Sequence, residues 1–232
     1  MKKKLLLIAL VVLLLVTGCK KETNYALEFK EEYESLNGTV NSSGKEHRSI
    51  TINENNPYIK TTPSKIVEKI NNKDTFILYV GDSLCPWCRS VLEKSIEVAY
   101  RNGIEEIYYI DIWDDEGKEI LRDKYILKDG KPVKESDGTQ EYYTLLEKFD
   151  SVLKDYTLTD DNDNKIEVGE KRIFAPNFFF IKDGKVGKMV SGISEKQIDS
   201  RGELTEEILK DEDSQFQSLF ELMNLCTEEI GC

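Results

Sequence analysis

The sequence predicts an α/β domain: a β-α-β-α-β unit, an insertion, then an antiparallel hairpin and a closing helix. Three observations carry this. The apolar run 75–80 leads into Cys85-Pro86-Trp87-Cys88 and then into an amphipathic stretch over 89–102, the signature of strand, sharp turn and helix. A second apolar run, 107–112, reads as another buried strand. Two further runs, 178–181 and 186–190, flank Lys182-Asp183-Gly184-Lys185, and Asp-Gly between apolar runs is a hairpin signal in its own right.

The chain opens with three lysines and an unbroken apolar run over 5–16, short for a membrane span and right for a signal h-region. The run ends Val16-Thr17-Gly18-Cys19, which resembles the bacterial lipobox; the alternatives are an ordinary signal peptide or an uncleaved anchor. The resemblance implies a lipoprotein signal peptide over 1–18 and a diacylglyceryl thioether on Cys19, whose two acyl chains suffice for stable anchoring. On that reading about 214 of the 232 residues remain, tethered to the extracytoplasmic face of the cell membrane. The net charge of −12 at pH 7 becomes about −15 once the three lysines are gone. A surface that acidic argues against nucleic acid and against electrostatic adhesion to anionic lipid. A hydrophobic content of 39% is enough for one well-cored domain with extensions.

Residues 19–45 read as a tether and an N-terminal helix, with Tyr25, Phe29, Tyr33 and Leu36 at helical spacing and turn chemistry over 37–45. Alternation over 47–52 predicts the first strand of a domain spanning 46–232, with His47 expected at the surface. Thr62-Pro63-Ser64 starts a helix that carries Ile66, Val67 and Ile70 on one face. The insertion, about 114–170, reads as a helix over 116–125, a hairpin about Asp129-Gly130, a helix over 139–153 and a hairpin about 160–164. The acids at 160–164 do not make a calcium loop. Counted from Asp161, Lys165 and Ile166 stand where an oxygen ligand and a glycine are needed, so this is a solvated turn. Leu204, Ile208, Leu209, Phe216, Leu219, Phe220 and Met223 mark the closing helix.

The chemistry centres on Cys85 and Cys88. Pro86 suits the first helical position because its missing N–H is an orphan there anyway. Cys85 then takes the cap, where free backbone N–H groups and the helix dipole favour a thiolate. A loop this short adds little stability as a disulfide, so the pair is read as a redox device, with Cys85 the nucleophile and Cys88 the resolving thiol. The alternatives are half a zinc site or an inert disulfide, but the only histidine, His47, and the distant Cys226 and Cys232 fit no common ligand spacing, so no metal and no cofactor are expected. Cys226 and Cys232 read as a structural disulfide at the end of the last helix, a second redox pair or free thiols being the alternatives.

In order along the chain, C-x-x-C, Phe174-Ala175-Pro176-Asn177, the hairpin and the last helix resemble thioredoxin-like proteins over about 46–112 and 171–225. The resemblance implies a thioredoxin fold, a central mixed sheet flanked by helices, with an α/β-hairpin insertion before the cis-proline loop. It also implies that Pro176, if cis, sets the Ala175 backbone against an extended substrate, with Pro86 and Trp87 shaping the rim. The expected activity is thiol–disulfide exchange with exported proteins or peptides, served by a membrane electron-transfer partner. Lipid-anchored thioredoxin-like proteins include bacteriocin transport accessory proteins, and the alternative is a non-enzymatic partner-binding module of that type. Copper delivery is a further alternative, although the histidine that serves it in similar proteins lies in a loop near the metal, whereas His47 precedes the first expected strand. One departure stands out: thioredoxins place a buried acid six residues before the first cysteine, and this chain has Tyr79.

Overall fold

The computed structural model describes residues 24–113 and 121–228, the last four by backbone alone. Helix α1 (Tyr25–Glu34) starts where Asn24 accepts the Leu27 N–H at 3.1 Å. Its apolar face puts Phe29 and Tyr33, one turn apart, fully into the core, and the Phe29 ring stacks on Tyr58 with centroids 4.2 Å apart. This helix is part of the domain's packing as well as its N-terminal approach.

The first strand is β1 (Tyr58–Lys60), and the strand expected over 47–52 does not form. That stretch buries Ile50 and Ile52, but side chains take the place of a neighbouring strand. Asn37 bonds both the N–H and the C=O of Ile50, Glu93 accepts from Thr51 N–H at 2.9 Å, and Glu34 accepts from Ile52 N–H at 2.6 Å. Alternation of buried side chains thus survives without a ladder. His47 is also buried, at 4% exposure, beside a loop that Arg201 fastens to the Glu46 carbonyl; the surface position expected for it is incorrect.

Helix α2 (Pro63–Asn71) is capped by Thr62 and leads to β2 (Phe76–Gly81), every residue of which is buried. Helix α3 (Pro86–Arg101) and β3 (Ile107–Asp111) complete the first unit. The insertion holds two hairpins, β4 (Lys124–Lys128) with β5 (Lys131–Ser136) and β6 (Lys154–Thr159) with β7 (Lys165–Arg172), separated by α4 (Gln140–Phe149) and one 3₁₀ turn. The helix expected over 116–125 lies outside the described residues up to 120. Residues 121–123 are irregular, and Lys124 and Tyr125 open β4, because alternation in this segment pairs with β5 and seats Tyr125 edge-on against Tyr156. In the second hairpin Asp160 accepts two backbone N–H groups of its own turn at 2.8 Å.

Strands β8 (Asn177–Lys182) and β9 (Lys185–Val190) and helix α5 (Glu206–Glu228) close the chain. The sheet order is β1-β3-β2-β8-β9, the first three strands parallel and β8 antiparallel to both of its neighbours, β2 and β9. That order, with crossover helices between the parallel strands, is the thioredoxin fold expected from the sequence. One apolar layer lies between the sheet and α1, α3 and α5; the other lies beneath α2 and α4. Among the described residues no helix is long and apolar enough to cross a membrane.

Candidate redox site

β2 ends at Gly81, and the chain turns through Asp82 to Leu84 before α3 begins. Asp82 is buried and builds this turn: its carboxylate accepts the Leu84 N–H at 2.7 Å and its carbonyl accepts the Cys85 N–H at 3.2 Å. Cys85 is the N-cap residue of α3, with Pro86 at the first helical position. It is half-buried, and Cys88, one turn on, is fully buried. Both are free thiols.

Their environments push the two thiols apart. A hydrogen bond from Cys88 holds Cys85 below the ordinary cysteine value, assisted by the Cys88 and Trp87 N–H groups and opposed by burial and the Asp82 charge. Burial drives Cys88 well above that value, and the neighbouring Cys85 and Asp82 drive it further. One thiol is therefore poised as a half-exposed nucleophile, and its neighbour keeps its proton until something takes it.

The cis-proline loop completes the site. The Ala175–Pro176 bond is cis, and the Cys85 thiol faces the Ala175 carbonyl at 3.5 Å. Pro176 is buried, whereas Ala175, Pro86 and Trp87 are half-exposed about the sulfur and Leu84 is 46% exposed. Asn177 holds the loop by accepting the Phe174 N–H at 2.7 Å. The sequence-predicted residues Cys85, Pro86, Trp87, Cys88, Ala175 and Pro176 thus belong to one site. Cys19 and Cys232 lie outside the described residues, and the backbone at Cys226 is helical with no side-chain description.

Two features of the site come from contacts that a reading of the sequence does not supply. Arg89, directly after the dithiol, is completely buried, and among the described residues no carboxylate pairs with its guanidinium. It donates to the carbonyls of Arg48 (2.7 Å), Tyr33 (2.8 Å) and Ser83 (3.3 Å) and to the Asn37 amide oxygen (2.8 Å), tying α1 and the 48–52 stretch to the redox turn. The second feature lies beneath Cys88. There Tyr79 fills the place of the expected acid, fully buried, its hydroxyl 2.9 Å from that of Tyr33.

No protein-family model matches the chain, and no curated protein matches it. Among solved structures it is similar to thioredoxin O2 from Arabidopsis thaliana in its oxidised state. The TM-score is 0.31 and the identity 11%, over 60% of this chain and 85% of that one. A likeness at that level decides nothing about the site. The chain's own strand order and polarity, with the C-x-x-C at the start of α3 and a cis-proline entering β8, make this a thioredoxin fold with two inserted hairpins.

Proposed function

We propose that the chain is an extracytoplasmic thiol–disulfide oxidoreductase, lipid-anchored through Cys19, that exchanges disulfides with exported proteins or peptides. The observation that carries the activity is the opposed pair of thiols: Cys85 lowered and half-exposed against the cis-proline loop, Cys88 raised and buried one turn beneath it. The Cys85 thiolate attacks a substrate disulfide, forming a mixed disulfide and releasing one thiolate. Cys88 then loses its proton and attacks the Cys85 sulfur, so that the protein is oxidised by two electrons and the substrate leaves as two thiols. The reverse sequence donates the disulfide. Trp87, Pro86 and Ala175 form the rim that an extended peptide meets, and a membrane partner resets the dithiol.

The anchor reading rests on the Val16-Thr17-Gly18-Cys19 motif alone. The adjoining insertion supports a docking role, because β7 runs directly into the cis-proline loop and Phe174 in that loop meets the Tyr156 ring edge-on at 6.3 Å. If this chain were only a partner-binding module, Cys85→Ser would leave its function intact.

The deciding experiment is the equilibrium reduction potential of Cys85–Cys88 against glutathione, with Cys226 and Cys232 intact and with both changed to serine. A two-electron transition lost in Cys85→Ser is the expected result. A value near about −270 mV makes the protein a reductase, and one near about −120 mV makes it an oxidant. Absence of any transition would overturn the enzyme reading.

A further inference from the structure

With 44 acidic residues against 32 basic ones, this chain has acids to spare, and cations that stand together without one need a reason. Three do so. Lys45, Arg48 and Arg201 line an open cavity of about 520 Å³, together with Glu46, His47 and Ser49. Among the described residues no carboxylate lies within ion-pair distance of any of the three. Glu46, the acid in that lining, is exposed and does not pair with them.

The two arginines are fixed by carbonyls. Arg48 donates through Nη2 to the carbonyls of Gly202 and Ser200, and Arg201 donates through Nε to that of Glu46 at 3.2 Å. Such contacts orient a guanidinium without cancelling its charge, and they leave further donors for a ligand. Arg48 Nε and His47 Nδ1 are buried atoms with no hydrogen-bond partner among the described residues, and His47 as a whole is 4% exposed. Glu212 lies in the field of Arg48, but neither of its oxygens bonds to it.

This cavity adjoins the redox turn. The Arg89 guanidinium bonds the Arg48 carbonyl at 2.7 Å and the Ser83 carbonyl at 3.3 Å, so the cavity wall and the turn before Cys85 hang on one side chain. On the other flank Gln197 lies 3.5 Å from the Ser90 hydroxyl, which donates to the Trp87 carbonyl at 2.9 Å. The loop over 197–202 therefore runs from the Trp87 turn to the cavity. It carries Ile198, 94% exposed, so an apolar side chain stands between the rim of the dithiol and the three cations.

We infer that the cavity docks an acidic segment of the polypeptide whose disulfide Cys85 exchanges, its carboxylates meeting Lys45, Arg48 and Arg201 and an apolar neighbour meeting Ile198. The inference rests on the oxidoreductase reading above and gives its substrate a chemistry. Charge complementarity selects this occupant. A chain of net charge −12 repels an acidic segment over most of its surface, so a local cluster of unpaired cations fixes where that segment settles and in which register.

In the test, two short peptides each carry one cysteine as a mixed disulfide with thiopyridine, flanked by leucine and aspartates in one and by leucine and asparagines in the other. Release of thiopyridone by the reduced full-length protein reports attack by Cys85, with Cys85→Ser as background. Each rate is divided by the same variant's rate with uncharged dithiodipyridine, so that any change in the thiol itself cancels. At low salt the aspartate peptide is expected to react about fivefold faster than its partner, and about 1 M salt should remove most of that advantage. Lys45→Gln should cut the advantage by about half, and Lys45→Gln combined with Arg201→Gln should abolish it, whereas Arg201→Lys retains it. If the double variant does not fold, Lys45→Glu, at an exposed position, decides by lowering the advantage below that of Lys45→Gln. A wild type that treats the two peptides alike overturns the docking site and leaves the oxidoreductase reading standing. An advantage that survives in the folded double variant, or in Lys45→Glu, places acid recognition elsewhere and overturns it too. Binding to phosphatidylglycerol vesicles that the double variant loses, with no peptide preference, assigns the cavity to lipid headgroups and likewise overturns it. A wild type that reacts with neither peptide nor dithiodipyridine faster than Cys85→Ser overturns both readings together.

Discussion

Asp82 is the residue whose charge acts on both thiols at once. It raises Cys85 and Cys88 alike, yet its side chain is needed to form the turn that delivers Cys85 to the helix cap. Asp82→Asn separates these roles, because the amide oxygen still accepts from Leu84 while the charge is gone. Cys85 alkylation by iodoacetamide below neutral pH should then run about two- to fivefold faster, the gain in thiolate being partly offset by lower intrinsic nucleophilicity. An unchanged rate would mean that solvent screens this carboxylate from the sulfur. The spacing of the cysteines and the proline at the first helical position were legible in the sequence because local backbone chemistry dictates them, and Ala175-Pro176 was legible through the resemblance to thioredoxin-like proteins. What Tyr79 does was not. Alternation in its strand indicates burial, but its hydroxyl acquires meaning from Tyr33, which lies 46 residues away on a different element.

Arg89 does for the elements what Asp82 does for the turn. A buried cation is costly unless its donors are fully engaged, and here three carbonyls and an amide oxygen engage them in place of a counter-ion. Burial lowers its pKa, with Tyr33 and Glu93 working the other way. Arg89→Leu would leave the Arg48 and Ser83 carbonyls without this donor, while the Tyr33 carbonyl keeps backbone N–H partners, a loss of about 3 kcal/mol or more in urea unfolding at constant m. Arg89→Lys should recover only part of this, since a single ammonium cannot span the fork that reaches three separate segments. A loss below about 1 kcal/mol for Arg89→Leu would show that α1 is held by its Phe29 and Tyr33 packing alone. The same contacts explain which elements the sequence concealed. The 47–52 stretch alternates like a strand, but Asn37, Glu93, Glu34 and Arg89 bond its backbone, and side chains from distant segments cannot be read from a local period. Strands β2 and β3, the Asp-Gly hairpins and the amphipathic helices were legible because each carries its own period or turn residues, whereas the three-residue β1 (Tyr58–Lys60) is too short to carry one.

The protein as a whole is acidic, and two of its carboxyls, one buried and one half-buried, make folding depend on pH in an unusual direction. Glu212 is completely buried, neither of its oxygens has a hydrogen-bond partner among the described residues, and burial raises its pKa to about 7, against the opposing fields of Lys94 and Arg48. Asp111, beside Glu32 and Asp82, is likewise raised to about 7, chiefly by burial, although it accepts the Trp113 N–H and lies near Lys60. In both cases the folded chain keeps a proton that the unfolded chain releases near its ordinary value of 4.5 or 3.8. Their contribution is therefore complete below those values and is lost as pH rises through about 7. His47 acts oppositely: burial, with Arg89 and Arg201, lowers its pKa, so its contribution is present above the ordinary histidine value and lost as pH falls. Stability should accordingly decline on the alkaline side, where an acidic chain also accumulates self-repulsion. Urea midpoints measured from about pH 5 to about pH 8 should fall, and Glu212→Gln should gain about 1–3 kcal/mol at the alkaline end while changing little at the acid end. A Glu212→Gln protein with the same slope as wild type would assign the decline to Asp111 and net charge. A wild-type stability that rises across this range would mean that both carboxyls ionise inside the fold with partners of their own.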